Sequence, residues 1–221
     1  MSVKKDEAGR RYVAMEFEVP GTPEDVWQAI ATGPGISAWF VPTEIEERVG
    51  GKLAFESMPG VTSKGHVTGW EPPRSFAYEE PEWSENAPPV ATECIVEARG
   101  GGTCVVRMVH SLFTDKTDWD KEMEGFEAGW PPYFDVLRLY LTRFKGQRSS
   151  PLRLMLKASG DEQDAWQNLA GPLGLHGAAA KASVRSSGAA PELAGVIERT
   201  GSQKHANEVL LRVESPAPGA A

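Results

Sequence analysis

Seven large apolar residues recur at spacings of three and four between Met123 and Phe144: Met123, Phe126, Trp130, Phe134, Leu137, Leu141 and Phe144. An α-helix collects such a series on one face. A helix with that much aromatic surface on one side must bury it against a second broad apolar layer. Asp135, Arg138 and Arg143 fall off the stripe, as a solvent-facing side requires. Pro131-Pro132 removes two backbone donors inside it, so a helix starting near Asp118 is expected to kink or restart near Trp130 and to end by Gly146.

The residues before it supply the second layer as strands. Arg11–Val19 alternates Val13, Met15, Phe17 and Val19 with small or charged residues. Thr22-Pro23-Glu24-Asp25 then carries a cap, an N1 proline and two carboxylates, the signature of a helix start whose apolar side is Val26, Trp27 and Ile30. Gly33-Pro34-Gly35 reads as its stop and Ile36–Phe40 as a short second helix. Strands are expected at 52–57, 65–70, 75–80, 91–98 and 104–112, with short Pro/Gly punctuation that favours an antiparallel meander. Thr92, Cys94 and Val96 share one face of their strand, and Cys104, Val106, Met108 and His110 share one face of the next. Gly100–Gly102 lacks the Lys-Ser/Thr ending and following helix of a phosphate loop and reads as a hairpin. If the turn lies near Arg99–Gly102, Cys94 pairs near residue 107, so Cys94 and Cys104 are not opposed and read as buried free thiols. The fold class is α+β.

Composition removes several functions. Lys and Arg total 23 against 31 Asp and Glu, a net charge of −8, the wrong sign for displacing counterions from nucleic acid or for approaching an acidic membrane. Lys4-Lys5 is followed by no apolar stretch and no long apolar run occurs later, so neither a secretory signal nor a spanning helix is read, and a cytoplasmic location is expected. His66, His176 and His205 have no partners at metal-ligand spacing, and neither cofactor nor metal is expected. The acidic run from Asp115 to Glu124 has no calcium-loop spacing. No linear catalytic motif is present, so no catalytic residue is assigned.

Residues 154–170 repeat residues 15–31 without gaps at an offset of 139. Gly21, Asp25, Trp27, Gln28 and Ala31 recur as Gly160, Asp164, Trp166, Gln167 and Ala170, and Asp161 replaces the capping Thr22. Alternating residues at Ala194–Arg199 and Glu208–Glu214 add strands. The expected organisation is therefore a main domain over 10–147 and a shortened second copy over 150–221. That copy has a first strand through Leu152, Leu154 and Leu156, no long helix, and a disordered tail from about 215. Apolar strands without a covering helix need burial, against the main domain or against a second chain, and the two later strands, read as sheet edges, favour a homodimer through this copy.

Pro23-Glu-Asp-Val-Trp27, Trp39-Phe40, Gly65-His-Val-Thr-Gly-Trp-Glu-Pro-Pro-Arg74 and Gly129-Trp-Pro-Pro-Tyr-Phe134 carry a resemblance to the START-like (SRPBCC) superfamily. In particular the chain resembles the branch named after the activator of the heat-shock protein 90 ATPase. The resemblance implies a helix-grip fold, a sheet wrapped around the long helix with a cavity between them. It implies a small apolar or amphipathic molecule as partner, held by Trp39, Phe40, Phe55, Phe76, Tyr78, Trp83, Val106, Met108, His110, Phe126, Trp130 and Phe134. His110 reads as a ligand-orienting group, a general base or a satisfied core histidine. Trp83, in the Pro81–Pro89 loop, reads as a lid or as an incidental surface tryptophan. A co-chaperone-like interaction domain and a cyclase- or hydrolase-type enzyme are the alternatives that the same fold allows.

Overall fold

The computed structural model describes residues 3–152, 154, 157, 160–188, 190–202 and 205–221. The chain divides into two compact units, residues 1–152 and 153–221.

In the first unit eight strands form one antiparallel sheet: β1 (Lys4–Lys5), β2 (Arg11–Pro20), β3 (Thr43–Ile45), β4 (Lys52–Met58), β5 (Val61–Glu71), β6 (Ser75–Glu80), β7 (Val90–Arg99) and β8 (Thr103–Leu112). Their order is β1-β2-β8-β7-β6-β5-β4-β3, so β3 to β8 form a meander and β2 closes onto the last strand. Alternation decides the faces. Val13, Met15, Phe17 and Val19 on β2 are buried, as are Cys104, Val106, Met108, His110 and Leu112 on β8. The hairpin at Gly100–Gly102 pairs Arg99 with Thr103, and Cys94 consequently faces Met108, one residue beyond the expected 107. Both cysteines are buried and free.

Helix α1 (Pro23–Ala31) opens on a capping box: Thr22 accepts from the Asp25 amide, and the Asp25 carboxylate accepts from the Thr22 amide. Gly33-Pro34-Gly35, expected to end α1, instead forms the first turn of α2 (Gly33–Ser37), whose start Thr32 caps by accepting from the Gly35 amide at 3.1 Å. A Cβ on Gly35 would lie 1.8 Å from the Gln28 carbonyl, so close approach of the two helices explains that glycine. The second helix thus begins three residues earlier than Ile36.

The long helix α3 runs from Asp120 to Leu139 and widens into a π turn at Tyr140–Phe144. It does not restart at Trp130. Pro131 and Pro132 lie inside it, withdrawing the donors that would reach the carbonyls of Glu127 and Ala128, and the helix continues through them. Met123, Phe134, Leu137, Leu139 and Leu141 are buried, whereas Phe126 and Trp130 are only partly so. Phe134 is stacked on Phe17 of β2 with ring centres 3.7 Å apart, which fixes the helix across the inner face of the sheet. The helix-grip arrangement is present.

The second unit has its own architecture. Helix α4 (Glu162–Ala170) precedes β9 (Ser183–Arg185), β10 (Ala194–Ser202), β11 (His205–Ser215) and β12 (Gly219–Ala220), which form a sheet in the order β12-β11-β10-β9. Ile197, Leu211 and Val213 make a small core with partly buried Leu175, Val184 and Leu193. Two expectations are corrected here. The strands at 194–202 and 205–215 are the inner pair of the sheet rather than its outermost strands, each flanked over only two or three residues by a short strand, β9 beside Ala194–Val196 and β12 beside Arg212–Val213. The segment after 215 is not a disordered tail: the chain turns back after Ser215 so that Gly219 and Ala220 pair with Val213 and Arg212, and Ala221 exchanges two backbone hydrogen bonds with Leu211. The expected first strand through Leu152, Leu154 and Leu156 lies largely outside the described residues. Leu152 and Leu154 are exposed and in no strand.

Candidate functional site

Between sheet and α3 the interior of the first unit is walled by rings. From the sheet come Phe55, Phe76, Tyr78, Val106 and Met108, and from the helices and their connections Trp39, Phe40, Trp130 and Phe134. Nine of the twelve residues expected from the sequence therefore meet around one space. Ile30, Ile36 and Cys94 line it too. Packing largely fills it. The cavity is ≈ 20 Å³, room for about one water-sized group. Phe40 contacts Trp130 with centroids 4.9 Å apart, and Phe55 contacts Tyr78 at 5.4 Å. The Trp39 indole N–H donates to the Ala29 carbonyl at 2.9 Å, which pins the α2 end of the wall to α1.

The other three expected residues gather next to this space. Trp83 sits with Phe126 at 5.1 Å and with Trp119 at 5.9 Å, and its indole N–H donates to the Pro88 carbonyl at 2.8 Å. The 81–89 loop is thus folded back over the first half of α3. His110 lies against Phe126 at 5.3 Å and is nearly parallel to Trp130 at 5.6 Å, so Trp130 joins the two groups. Trp119 escaped the sequence reading although it lies four residues before Met123, in step with the stripe, because it precedes the first helical residue.

Strand register builds a polar row beside the rings. Tyr78 pairs with Thr92, and Thr92 with His110, which places three polar side chains in line across β6, β7 and β8 on the inner face. Thr92 Oγ1 and His110 Nδ1 are 2.8 Å apart. The other ring nitrogen of His110, Nε2, is buried with no hydrogen-bond partner. Only 5% of His110 is exposed, and burial lowers its pKa to about 4, so the ring is neutral at physiological pH. Burial also raises the Tyr78 phenol well above its ordinary value, with Glu80 and Cys94 adding to the rise and the Thr92 hydroxyl opposing it.

Glu80 belongs to the same inner face, two residues beyond Tyr78. Burial raises its carboxyl, partly offset by the Ser63 hydroxyl that donates to it. The Cys94 thiol is pushed up to about 12, first by burial and then by Glu93. A thiol so held is not a nucleophile near neutral pH. The chemistry on offer is hydrogen bonding from neutral groups within an aromatic surround. Among the described residues no group of His, Cys, Asp and Glu is arranged to hold a metal ion, and no helix is long and apolar enough to cross a membrane.

Comparison with solved structures places this geometry. Protein MLL2253 from Mesorhizobium loti is 23% identical and matches with a TM-score of 0.55, over 61% of this chain and 98% of that one. NE0264 from Nitrosomonas europaea is 15% identical with a TM-score of 0.52, over 62% and 97%. CalU16 from Micromonospora echinospora is 19% identical with a TM-score of 0.51, over 64% and 83%. At such identities the likeness is one of fold. No curated protein matches the chain significantly. The family model described as "Activator of Hsp90 ATPase homolog 1-like protein" matches residues 20–142, more than half of the chain, from the end of β2 to the π turn, and the protein belongs to that family.

Proposed function

We propose that the first unit binds a small apolar or amphipathic molecule between its sheet and α3. The observation that carries this reading is His110 Nε2, a buried polar nitrogen without a protein partner, set beside Phe126 and Trp130. An unsatisfied buried polar atom costs about 1–3 kcal/mol, which a guest with a matching group would recover. Aromatic walls with a few polar tips are the usual make-up of a small-molecule site. The ≈ 20 Å³ cavity requires that something move to admit a guest. The first half of α3 is the less deeply buried half of that helix, since Met123 is its one fully buried side chain before Phe134. Trp83, packed on that half, then acts as a lid within the cytoplasm, where the acidic chain is proposed to work. Native mass spectrometry of protein purified from its own host tests the reading, together with thermal shift against lipids, fatty acids and aromatic polyketides. A co-purified mass, or a raised melting temperature with one class, is expected. A bare mass and an unmoved melt across the whole panel would overturn it.

The family match favours a second reading, an interaction domain related to activators of the heat-shock protein 90 ATPase. It expects stimulation of such an ATPase by the purified chain, unaffected by His110→Phe.

A further inference from the structure

The polar side chains that face the interior of the first unit carry no net positive charge to offer a guest. On the inner-face positions of β2 and β4–β8, Arg11 is the basic residue besides His110 among the described residues. Its guanidinium makes a two-pronged ion pair with Asp120 at the start of α3 and is mostly buried there. Tyr78, Thr92 and His110 make a neutral row, and burial keeps the Glu80 carboxyl toward its protonated form. A carboxylate or phosphate entering here would lose its hydration without finding a counter-charge, and burying an unpaired charge is strongly unfavourable. A hydroxyl or carbonyl would lose little and would pair with His110 Nε2.

Building on the proposed binding function, we infer that the site selects neutral, flat aromatic molecules bearing a hydroxyl or carbonyl group, and rejects anionic amphiphiles such as fatty acids. His110 recognises the polar group, Trp130 and Phe126 hold the rings, and the Arg11–Asp120 pair keeps an available cation occupied.

Three probes of one ring system separate this inference from the reading beneath it: naphthalene, 2-naphthol and 2-naphthoate, the last ionised at neutral pH. Their dissociation constants for the full-length chain are measured by equilibrium dialysis, with indole N–H chemical shifts of Trp130 and Trp83 reporting where they bind. Expected is 2-naphthol binding about 3–10-fold tighter than naphthalene, the worth of one neutral hydrogen bond, with 2-naphthoate weakest of the three. His110→Phe should abolish the preference for 2-naphthol over naphthalene, bringing the two dissociation constants together. Asp120→Asn frees Arg11 and should strengthen 2-naphthoate while leaving 2-naphthol unchanged. If 2-naphthoate binds wild type as well as 2-naphthol does, with the same indole shifts, the charge selection is wrong and the binding function stands. If none of the three moves either indole resonance, the inference and the binding function fall together.

Discussion

Two helix starts in this chain are nearly the same in local structure and differ in what lies beneath them. Before α1, Gly21 has φ +121°, and before α4, Gly160 has φ +95°. Thr22 caps the first by accepting from the Asp25 amide at 3.3 Å, and Asp161 caps the second by accepting from the Asp164 amide at 2.8 Å. Added Cβ atoms would meet Asp25 Cβ at 3.2 Å and Asp164 Cβ at 3.4 Å, equivalent neighbours. The helices themselves part company. Val26, Trp27, Ala29, Ile30 and Ala31 of α1 are buried, but of α4 only Ala170 is, and Leu169 is 52% exposed. Turn and cap therefore specify a helix start without specifying burial. Burial is what makes one of the two starts part of the first unit's core.

If burial separates the two helices, matched tryptophan truncations should separate them most. Trp27→Ala removes a ring that is 4% exposed and edge-on to Trp70, and should cost about 3–5 kcal/mol. Trp166→Ala, at a partly exposed position, should cost about 1 kcal/mol or less. Urea unfolding read by unit-specific amide resonances distinguishes them. A loss at Trp166 as large as at Trp27 would mean that α4 is as deeply buried as α1.

Acidification should next distinguish the units. His110 titrates at about 4 in the fold against 6.5 for an ordinary histidine. The unfolded chain therefore binds the extra proton between those values. Stability of the first unit is full above pH 6.5 and falls as pH drops toward 4, by about 3 kcal/mol in all. Thr92, Phe126 and Trp130 surround the ring and supply no carboxylate to counter the charge. His110→Gln should flatten the dependence. A wild-type curve level from pH 7 to 4.5 would show that the imidazole is solvated.

Backbone strain should then treat the starts alike. Gly21→Ala and Gly160→Ala each place a side chain at a positive φ and should each cost about 1–3 kcal/mol in their own unit. The smallest effect belongs to the caps. Thr22→Ala and Asp161→Ala should each cost about 1 kcal/mol, measured in the same denaturation assay. A cap loss confined to one of them would break the equivalence of the two starts.

Much of this was legible in the chain because its strongest signals are local. The alternation of β2, β6, β7 and β8 placed those strands within one residue and put Tyr78, Thr92 and His110 on inner faces. The helical stripe placed α3. Strands of two or three residues, β1, β3, β9 and β12, exist because longer neighbours pair with them and leave no period of their own. Gly33-Pro34-Gly35 carries stop residues, yet forms a helix start because Thr32 caps it and Gly35 admits the Gln28 carbonyl. In the site, Trp83 could be singled out as a large apolar residue in a polar loop. The pairing of Arg11 with Asp120 spans 109 positions and has no sequence signal. Ile30 and Cys94 were visible as apolar residues, but only register shows which space they line. Filling of the interior was also hidden, since side-chain volumes along a strand do not tell how far the opposite layer stands away.

The closure of the sheet by β2 on β8 has a consequence for the chain's birth. Every other neighbouring pair from β3 to β8 is joined by a local connection and can form soon after leaving the ribosome. Strand β2 must wait for a partner about ninety positions downstream, since its register runs from Arg11 opposite Leu112 to Pro20 opposite Thr103. At translation speeds of about 5–20 residues per second, that is roughly 5–20 s with Val13, Met15, Phe17 and Val19 exposed to other nascent chains. α3 emerges later still, so the ring of Phe17 meets Phe134 only near the end of synthesis of the first unit. Pauses in translation before residue 112 should therefore be the window in which this protein is most prone to aggregate.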